Sequence, residues 1–395
     1  MSTTASAMAI ERPAFNEAWK RRFVLAIGLC GVALLGACER TDTVQRGFRG
    51  LAQVQMYSPA AVTALAEINQ IPEAEEPADP DSPTVDEVFK NVKVLNDLSA
   101  TEFSRLMQAL STWVAPEEGC DFCHNPKKLD SDEKYPKVVA RRMLQMTRDI
   151  NTRWKAHVGE TGVTCWTCHR GQAVPTGDWF KNPGPHAAEI AQANQSGQNM
   201  RGVETNGNSA LPFDPLSVFL TTGNEVGVQG KAPLAGGNRH SIKPTEWTYS
   251  LMMHMSKSLG VNCTSCHNTR ALGRWEESSP PRATAWHGIR MVRELNTAYL
   301  TPLEPIFPAK RLSPDGDGPK VGCATCHKGT FKPLYGVSSL KDYPVLAGVV
   351  PARPASGAEP APAAPAGKVS LDTTSPSVTT AALGTVHTVA LSPAE

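Results

Sequence analysis

Apolar residues fall on one helical face in four separate stretches of the chain. In the first, Phe103, Leu106, Met107 and Leu110 recur at helical spacing behind a capping box formed by Ser99 and Glu102. In the second, Pro136 stands near a helix start, and Val139, Met143, Met146 and Ile150 share a face. The third, "TEWTYSLMMHMSKSLG", runs from a Thr245 cap to a Gly260 stop with Leu251, Met252, Met255 and Leu259 on one side. A fourth, about residues 282 to 299, aligns with the second. The pattern predicts four helices, each leading into a cysteine pair.

Outside these helices the pattern fades. Residues 38–83 are polar, with the acidic, proline-rich run "PEAEEPADPD", and are expected to form an anchor and an extended arm over a surface. Residues 176–243 are a connecting segment rich in Gly, Asn and Pro, and residues 350–395 turn to Pro, Ala, Ser and Thr, a composition too poor in apolar surface to offset its ordering entropy. That tail is expected to be disordered. The two motif-bearing units are therefore 84–175 and 244–349. Residues 1–37 carry Lys20, Arg21 and Arg22 ahead of the apolar run "FVLAIGLCGVALLGA", which is too short and too glycine-rich for a membrane span and is expected to be a signal peptide. It closes on "LGAC", a lipobox pattern that makes Cys38 the candidate site of acylation. The body is then expected outside the cytoplasmic membrane and tethered to it.

The cysteines change the picture most. Eight of ten form four Cys-x-x-Cys-His motifs: Cys120, Cys123 and His124; Cys165, Cys168 and His169; Cys263, Cys266 and His267; Cys323, Cys326 and His327. This is the c-type haem attachment signature, in which two thiols form thioethers and the histidine reaches the iron. One copy is compatible with a redox dithiol or half a zinc site. Four copies in an exported chain point to four covalently bound c-type haems, with no body cysteine left for a structural disulfide. The formal net charge of +1 over 395 residues carries no polyelectrolyte signature, so nucleic acid is not an expected partner.

"QMTRDINTRW" before the second motif and "RMVRELNTAY" before the fourth share Met, Arg, Asn and Thr when Met146 is laid on Met291. Motifs one and three share the successor "CHN". A two-haem unit is thus expected to be duplicated, its halves related by a pseudo-two-fold, in a mainly α fold with long irregular segments. A haem iron that cycles without binding small ligands needs a sixth group, and methionine supplies one. Met107, Met143 and Met252 are the candidates; Met146, Met253, Met255 and His254 lie within a turn and spacing alone does not separate them. On the fourth helix the position equivalent to Met143 is Gly288, so the fourth iron needs a ligand from elsewhere. His157 is the candidate, with Met291 and His287 as rivals. Arg170 and Lys328, directly after motifs two and four, are candidates to meet haem propionates or raise potentials, or else are solvated charges. The acidic arm near Glu75 is a candidate to steer a basic donor.

"GFRG", "KNVKVL", "VVARRMLQMTR", "GVTCWTCHRG", "SLGVNCTSCHN", "GIRMVREL" and "LKDYP" closely resemble the tetrahaem cytochrome c subunit of the photosynthetic reaction centre of purple bacteria, over about residues 38 to 347. The resemblance implies three His/Met haems with Met107, Met143 and Met252, and a bis-histidine fourth haem with His157. It implies an electron-transfer protein rather than an enzyme, on the periplasmic face of the photosynthetic inner membrane. Its partners would be the L- and M-type membrane subunits that hold the bacteriochlorophyll pair, and a soluble donor, either a small cytochrome c or a high-potential iron-sulfur protein. The competing class is a multihaem reductase, which needs one open, five-coordinate haem.

Overall fold

The computed structural model describes residues 41–46, 53–79, 81–181, 211–212, 214–229 and 242–348, with Arg22 and Leu25 in the leader. The expected signal peptide, Cys38, most of the connecting segment and the C-terminal tail lie outside the described residues.

All four expected helices are present. Helix α2 (Ala100–Val114) opens on the capping box read from the sequence: the Glu102 amide donates to Ser99 Oγ and the Ser99 amide to Glu102 Oε2, meeting two otherwise orphaned donors. Helix α3 (Tyr135–Arg153) starts with Pro136 in its first turn, where a missing N–H costs nothing. Helix α7 (Ile242–Leu259) begins three residues before the expected Thr245 cap and stops at Gly260, whose φ of +61° is the left-handed turn that glycine allows cheaply. Helix α8 (Pro281–Glu294) runs on into a π-helical turn, Leu295–Leu300. Shorter α-helical pieces are α4 (Lys155–Val158), α5 (Cys165–His169), α6 (Pro215–Leu220) and α9 (Cys323–His327).

The arm departs from expectation. Asp42–Arg46 (β1) and Gln53–Tyr57 (β2) pair antiparallel, Val44 opposite Gln55, and helix α1 (Pro59–Ile68) follows. Beyond it the arm runs irregularly. Its order comes from contacts far along the chain: Gln53 receives a bond from Asn262 and donates to Thr264, while Asn69 and Gln70 accept from Arg170 and Trp166. Periodicity within the arm carries no trace of those partners.

Two apolar clusters share α3. Leu144 joins Val85, Leu106, Ala109, Trp113, Tyr343 and Leu346, whereas Met146, Ile150 and Trp154 join Phe219, Leu251, Ile289, Val292 and Tyr299. Each fully buried leucine or aromatic here contributes roughly 1.5–3 kcal/mol of transfer free energy. The segment after the fourth motif returns to the first: Tyr343 packs edge-on against Trp113 at 4.7 Å, and Arg105 lies 4.1 Å over the Tyr343 ring.

A charged joint also ties α3 to α8. Arg153 binds the buried carboxylates of Asp149, through Nε and Nη2, and Glu294, through Nη2. Asp149 and Glu294 occupy matching places when Met146 is laid on Met291. One guanidinium thus bridges the two aligned helices.

Candidate haem sites

The four motif histidines are held alike. In each, Nδ1 lies against a backbone carbonyl: His124 on Leu129 at 2.8 Å, His267 on Leu272 at 3.0 Å, His169 on Gln172 at 2.8 Å, His327 on Thr330 at 3.1 Å. A carbonyl only accepts, so Nδ1 carries the proton and Nε2 keeps its lone pair, the arrangement that prepares imidazole for a metal. Burial pushes His169 and His327 below the ordinary imidazole range, His327 to about 4, which keeps them neutral.

The partner offsets sort the motifs into two kinds. Motifs one and three form 3₁₀ turns, place the carbonyl five residues on, and tie the following asparagine to a glutamate: Asn125 to Glu133 at 2.6 Å and Asn268 to Glu277 at 3.0 Å. Motifs two and four form α5 and α9 and place the carbonyl three residues on. Thr164 N donates to Thr167 Oγ1 at 3.0 Å, and Gly322 N to Thr325 Oγ1 at 2.9 Å. Asn151 grips the segment before motif two, accepting from Val163 N at 2.8 Å and donating to Val163 O at 2.9 Å and Leu346 O at 3.0 Å. Asn296 grips Val321 in the same manner, with Leu220 O as the third partner. These asparagines were not picked out as site residues, although both belong to the repeat, as its shared Asn.

Both even motifs end on a cation in left-handed backbone, Arg170 at φ 51° and Lys328 at φ 48°. A non-glycine residue there costs about 1–2 kcal/mol. Burial holds the Arg170 guanidinium down to about 10, and burial with the Arg170 charge holds the Lys328 ammonium down to about 8.

The helices before the motifs carry each candidate methionine one turn ahead of a hydroxyl side chain. Four residues after Met107, Ser111 Oγ lies 3.8 Å from Cys120 Sγ; four after Met143, the Thr147 hydroxyl sits on the Cys165 thiol; four after Met252, Ser256 donates to the Val261 carbonyl, two residues before Cys263. Residues i and i+4 share a helical face. Met107 and Met143 thus lie one turn before side chains that reach Cys120 and Cys165, and Met252 one turn before Ser256. Met146 is buried in the apolar cluster with Ile150, against which Met143 and Met252 also pack. His254 points toward the fourth motif: its Nε2 is 3.4 Å from Ser258 Oγ and would be 3.4 Å from a Cβ at Gly322.

His157 lies where a side chain at 288 would be. A Cβ built on Gly288 would fall 2.5 Å from His157 Cε1 and 2.8 Å from its Nδ1, so any larger residue there displaces the ring. His157 Nδ1 donates to Thr284 O at 2.9 Å, again leaving Nε2 free. Its ring meets that of His327 edge-on, with centroids 6.0 Å apart. His287 has no such bond on Nδ1, which is buried without a partner. Met291 belongs to the apolar cluster.

The sulfurs bring one correction. Cys168 and Cys326 are joined as a disulfide, against the expectation that no body cysteine would be so used. The reason is tertiary: α5 and α9 abut, with Cα atoms 4.3 Å apart. A disulfide sulfur carries no thioether, so attachment at these positions requires that bond to be open. Cys120, Cys123, Cys165, Cys263, Cys266 and Cys323 are free thiols, and burial keeps Cys165 protonated, with its pKa pushed up to about 12.

Residues 37–347 match the family model described as the photosynthetic reaction centre cytochrome C subunit. The chain belongs to that family. It is 46% identical to the photosynthetic reaction center cytochrome c subunit of Rubrivivax gelatinosus over 345 residues, covering 87% of this chain and 90% of the relative. It is 48% identical to the subunit of that name from Thermochromatium tepidum, covering 81% and 79%, and 40% identical to that from Roseobacter denitrificans, covering 82% and 92%. As a member of a cytochrome c family, the chain is expected to carry covalently bound c-type haem, and the free Nε2 atoms opposite paired cysteines suit that group. Among the described residues no helix is long and apolar enough to cross a membrane.

Proposed function

We propose that this chain is the tetrahaem subunit that delivers electrons to the photo-oxidised bacteriochlorophyll pair of a photosynthetic reaction centre. Family membership supports the electron-transfer role at a reaction centre. The residue assignment rests on its own observation, the His157 ring edge-on to His327 and beside Gly288. Haem bound here supplies a one-electron carrier, its potential tuned by axial ligand, burial and nearby charge.

The rest is the work of this chain's residues. Cys120 and Cys123, Cys165 and Cys168, Cys263 and Cys266, and Cys323 and Cys326 are the attachment thiols. His124, His169, His267 and His327 are the proximal ligands, each oriented by its Nδ1 bond. Met107, Met143 and Met252 close the distal side of sites one to three, and His157 closes site four. With both sides of each iron so taken, no position would be left for substrate, and the chain would conduct electrons without catalysis. A duplicated two-haem unit, with motifs one and three equivalent and two and four equivalent, accounts for the shared second-rank contacts. An acylated Cys38 would hold the body at the periplasmic face of the inner membrane, against the L- and M-type subunits. A small soluble cytochrome c or high-potential iron-sulfur protein would supply electrons.

Low-temperature electron paramagnetic resonance of the purified protein tests this. Three His/Met signals and one bis-histidine signal are expected. A high-spin, five-coordinate haem would defeat the reading and favour a reductase with one open site.

A further inference from the structure

Helix α8 buries one side and leaves another outside. Gly288, Ile289 and Val292 lie in the core, while Arg282, Trp286 and Arg290 follow one another at intervals of four along a second side. Trp286 is 42% exposed, with the Arg290 guanidinium 4.5 Å over its ring. Trp275, 49% exposed on the loop between motif three and α8, carries Arg282 at 4.3 Å in the same way. Arg270, Leu272 and Arg274 stand in the open on that loop. A single exposed ring needs no explanation, but two, each covered by a cation on one stretch of chain, mark a surface that is both apolar and positive. The stretch is firmly seated. Ser279 Oγ donates to Ser265 O, inside motif three, at 2.6 Å, and Arg282 Nη1 donates to Arg274 O at 2.7 Å and Ser278 Oγ at 2.5 Å.

Residues 270–293 carry five arginines against Glu276 and Glu277. Arg293 turns inward to the Phe219 and Asn224 carbonyls, and the other four keep the excess positive charge. The acidic run lies elsewhere: residues 73–81 hold five carboxylates and no base, along α2, whose Arg105 takes the Glu75 and Glu76 carbonyls. Motif three thus has a positive flank and the helix before motif one a negative flank. Motif three also holds the root of the arm. Asn262 donates to the Gln53 carbonyl, Gln53 N donates to Thr264 Oγ1, and Arg46 stands opposite Gln53 in the hairpin. Eight residues lead from Cys38 to Arg46, a span of at most about 29 Å. An acyl group on Cys38 would therefore keep motif three close to the bilayer.

We propose that the arginine and tryptophan side of residues 270–290 is a membrane-contact face that rests on anionic phospholipid headgroups, a second hold besides the anchor. It rests on the membrane-tethered reading given above. Tryptophan suits the border between hydrocarbon and headgroup, its ring apolar and its indole N–H polar. Arginine suits the phosphate, which its planar fork meets with two bonds, and each basic residue beside an anionic surface is worth about fivefold in affinity. The nearness of the arm's root favours the bilayer over an acidic soluble protein, which has no cause to meet the tethered side. The consequence is orientation. A tether alone lets the body swivel, whereas a positive face beside it, with the acidic run on another flank, fixes which side lies down.

The test is hydroxyl-radical footprinting of the full-length holoprotein, held by its own amino terminus in nanodiscs of phosphatidylcholine alone or mixed with phosphatidylglycerol. Oxidation is read at Trp275 and Trp286, with Tyr335, 54% exposed after motif four, as the internal control. Both tryptophans should react at least about fivefold more slowly on the phosphatidylglycerol discs, with Tyr335 unchanged. That protection should vanish at about 1 M salt, where screening acts within about 3 Å. A holoprotein that stays with neither disc would sink the tethered reading, whereas one that stays with both and shows equal tryptophan reactivity overturns the face alone. Protection that appears only when reaction-centre membrane subunits or an acidic soluble protein are added gives the face to a protein and overturns the lipid. The combined variant Arg270→Gln, Arg274→Gln and Arg290→Gln, checked for wild-type haem content, should react on phosphatidylglycerol discs as the wild type does on phosphatidylcholine, and unchanged protection would overturn the proposal. Should that variant fail to mature, the salt series on the wild type carries the test, and protection indifferent to salt overturns it.

Discussion

The segments around motifs two and four are built alike and differ at one decisive place. Both have an asparagine gripping the segment before the motif, a threonine closing its first turn, a histidine pinned three residues on, and a left-handed cation after it. The helix before motif two offers Met143, while the helix before motif four offers Gly288 and a space filled by His157 from the other half. The comparison teaches that a shared scaffold positions the proximal side, and that the distal side is free to vary. His157, proposed above as the replacement for the ligand missing at Gly288, arrives by a tertiary contact that also binds the halves together.

The joint between the aligned helices is the strongest place to break this comparison. Arg153→Met removes the one guanidinium that faces both Asp149 and Glu294, leaving two buried carboxylates uncompensated. A loss of about 3–5 kcal/mol is expected in chemical denaturation of the holoprotein. A loss under about 1 kcal/mol would show that the bridge is not a joint.

The asparagine grips come next. Asn151→Ala and Asn296→Ala each remove two donated bonds and one accepted bond at a buried site, leaving a valine amide unmet. Each is expected to cost about 2–3 kcal/mol, and the two costs should agree within about 1 kcal/mol if the scaffolds are equivalent. Clearly unequal costs would mean that the shared geometry hides different loads.

The smallest effect in energy is the most specific. Gly288→Met restores the residue type that motif two uses and leaves no room for His157. The fourth haem should change from a bis-histidine to a His/Met spectrum, and its reduction equilibrium should rise at least tenfold, about 1.4 kcal/mol. An unchanged bis-histidine signal would separate Gly288 from the His157 site. Only that haem should respond.

Much of this was legible in the chain. The Cys-x-x-Cys-His motifs state their chemistry locally, because attachment and proximal ligation need residues within five positions of one another. The helices before them were legible because apolar spacing and the Ser99–Glu102 box are also local. The Met143–Gly288 mismatch was visible by aligning Met146 with Met291, and it led to His157. What spacing left open was which methionine of a pair one turn apart faces the motif. Thr147 and Ser256, one turn after Met143 and Met252, show their contacts only in the folded chain.

By itself, then, the sequence carried four Cys-x-x-Cys-His motifs, the helices that precede them and the mismatch of Met143 with Gly288. These follow from short-range covalent and helical geometry. Only the tertiary structure decided that His157 stands 6.0 Å from His327, that Cys168 meets Cys326, that Arg153 spans two helices, and that the arm folds as a hairpin and helix across the motifs. Apart from the hairpin's own ladder, those pairings join residues at least 96 positions apart. They are set by which buried surfaces and charges satisfy one another once the chain has closed, which no local period records.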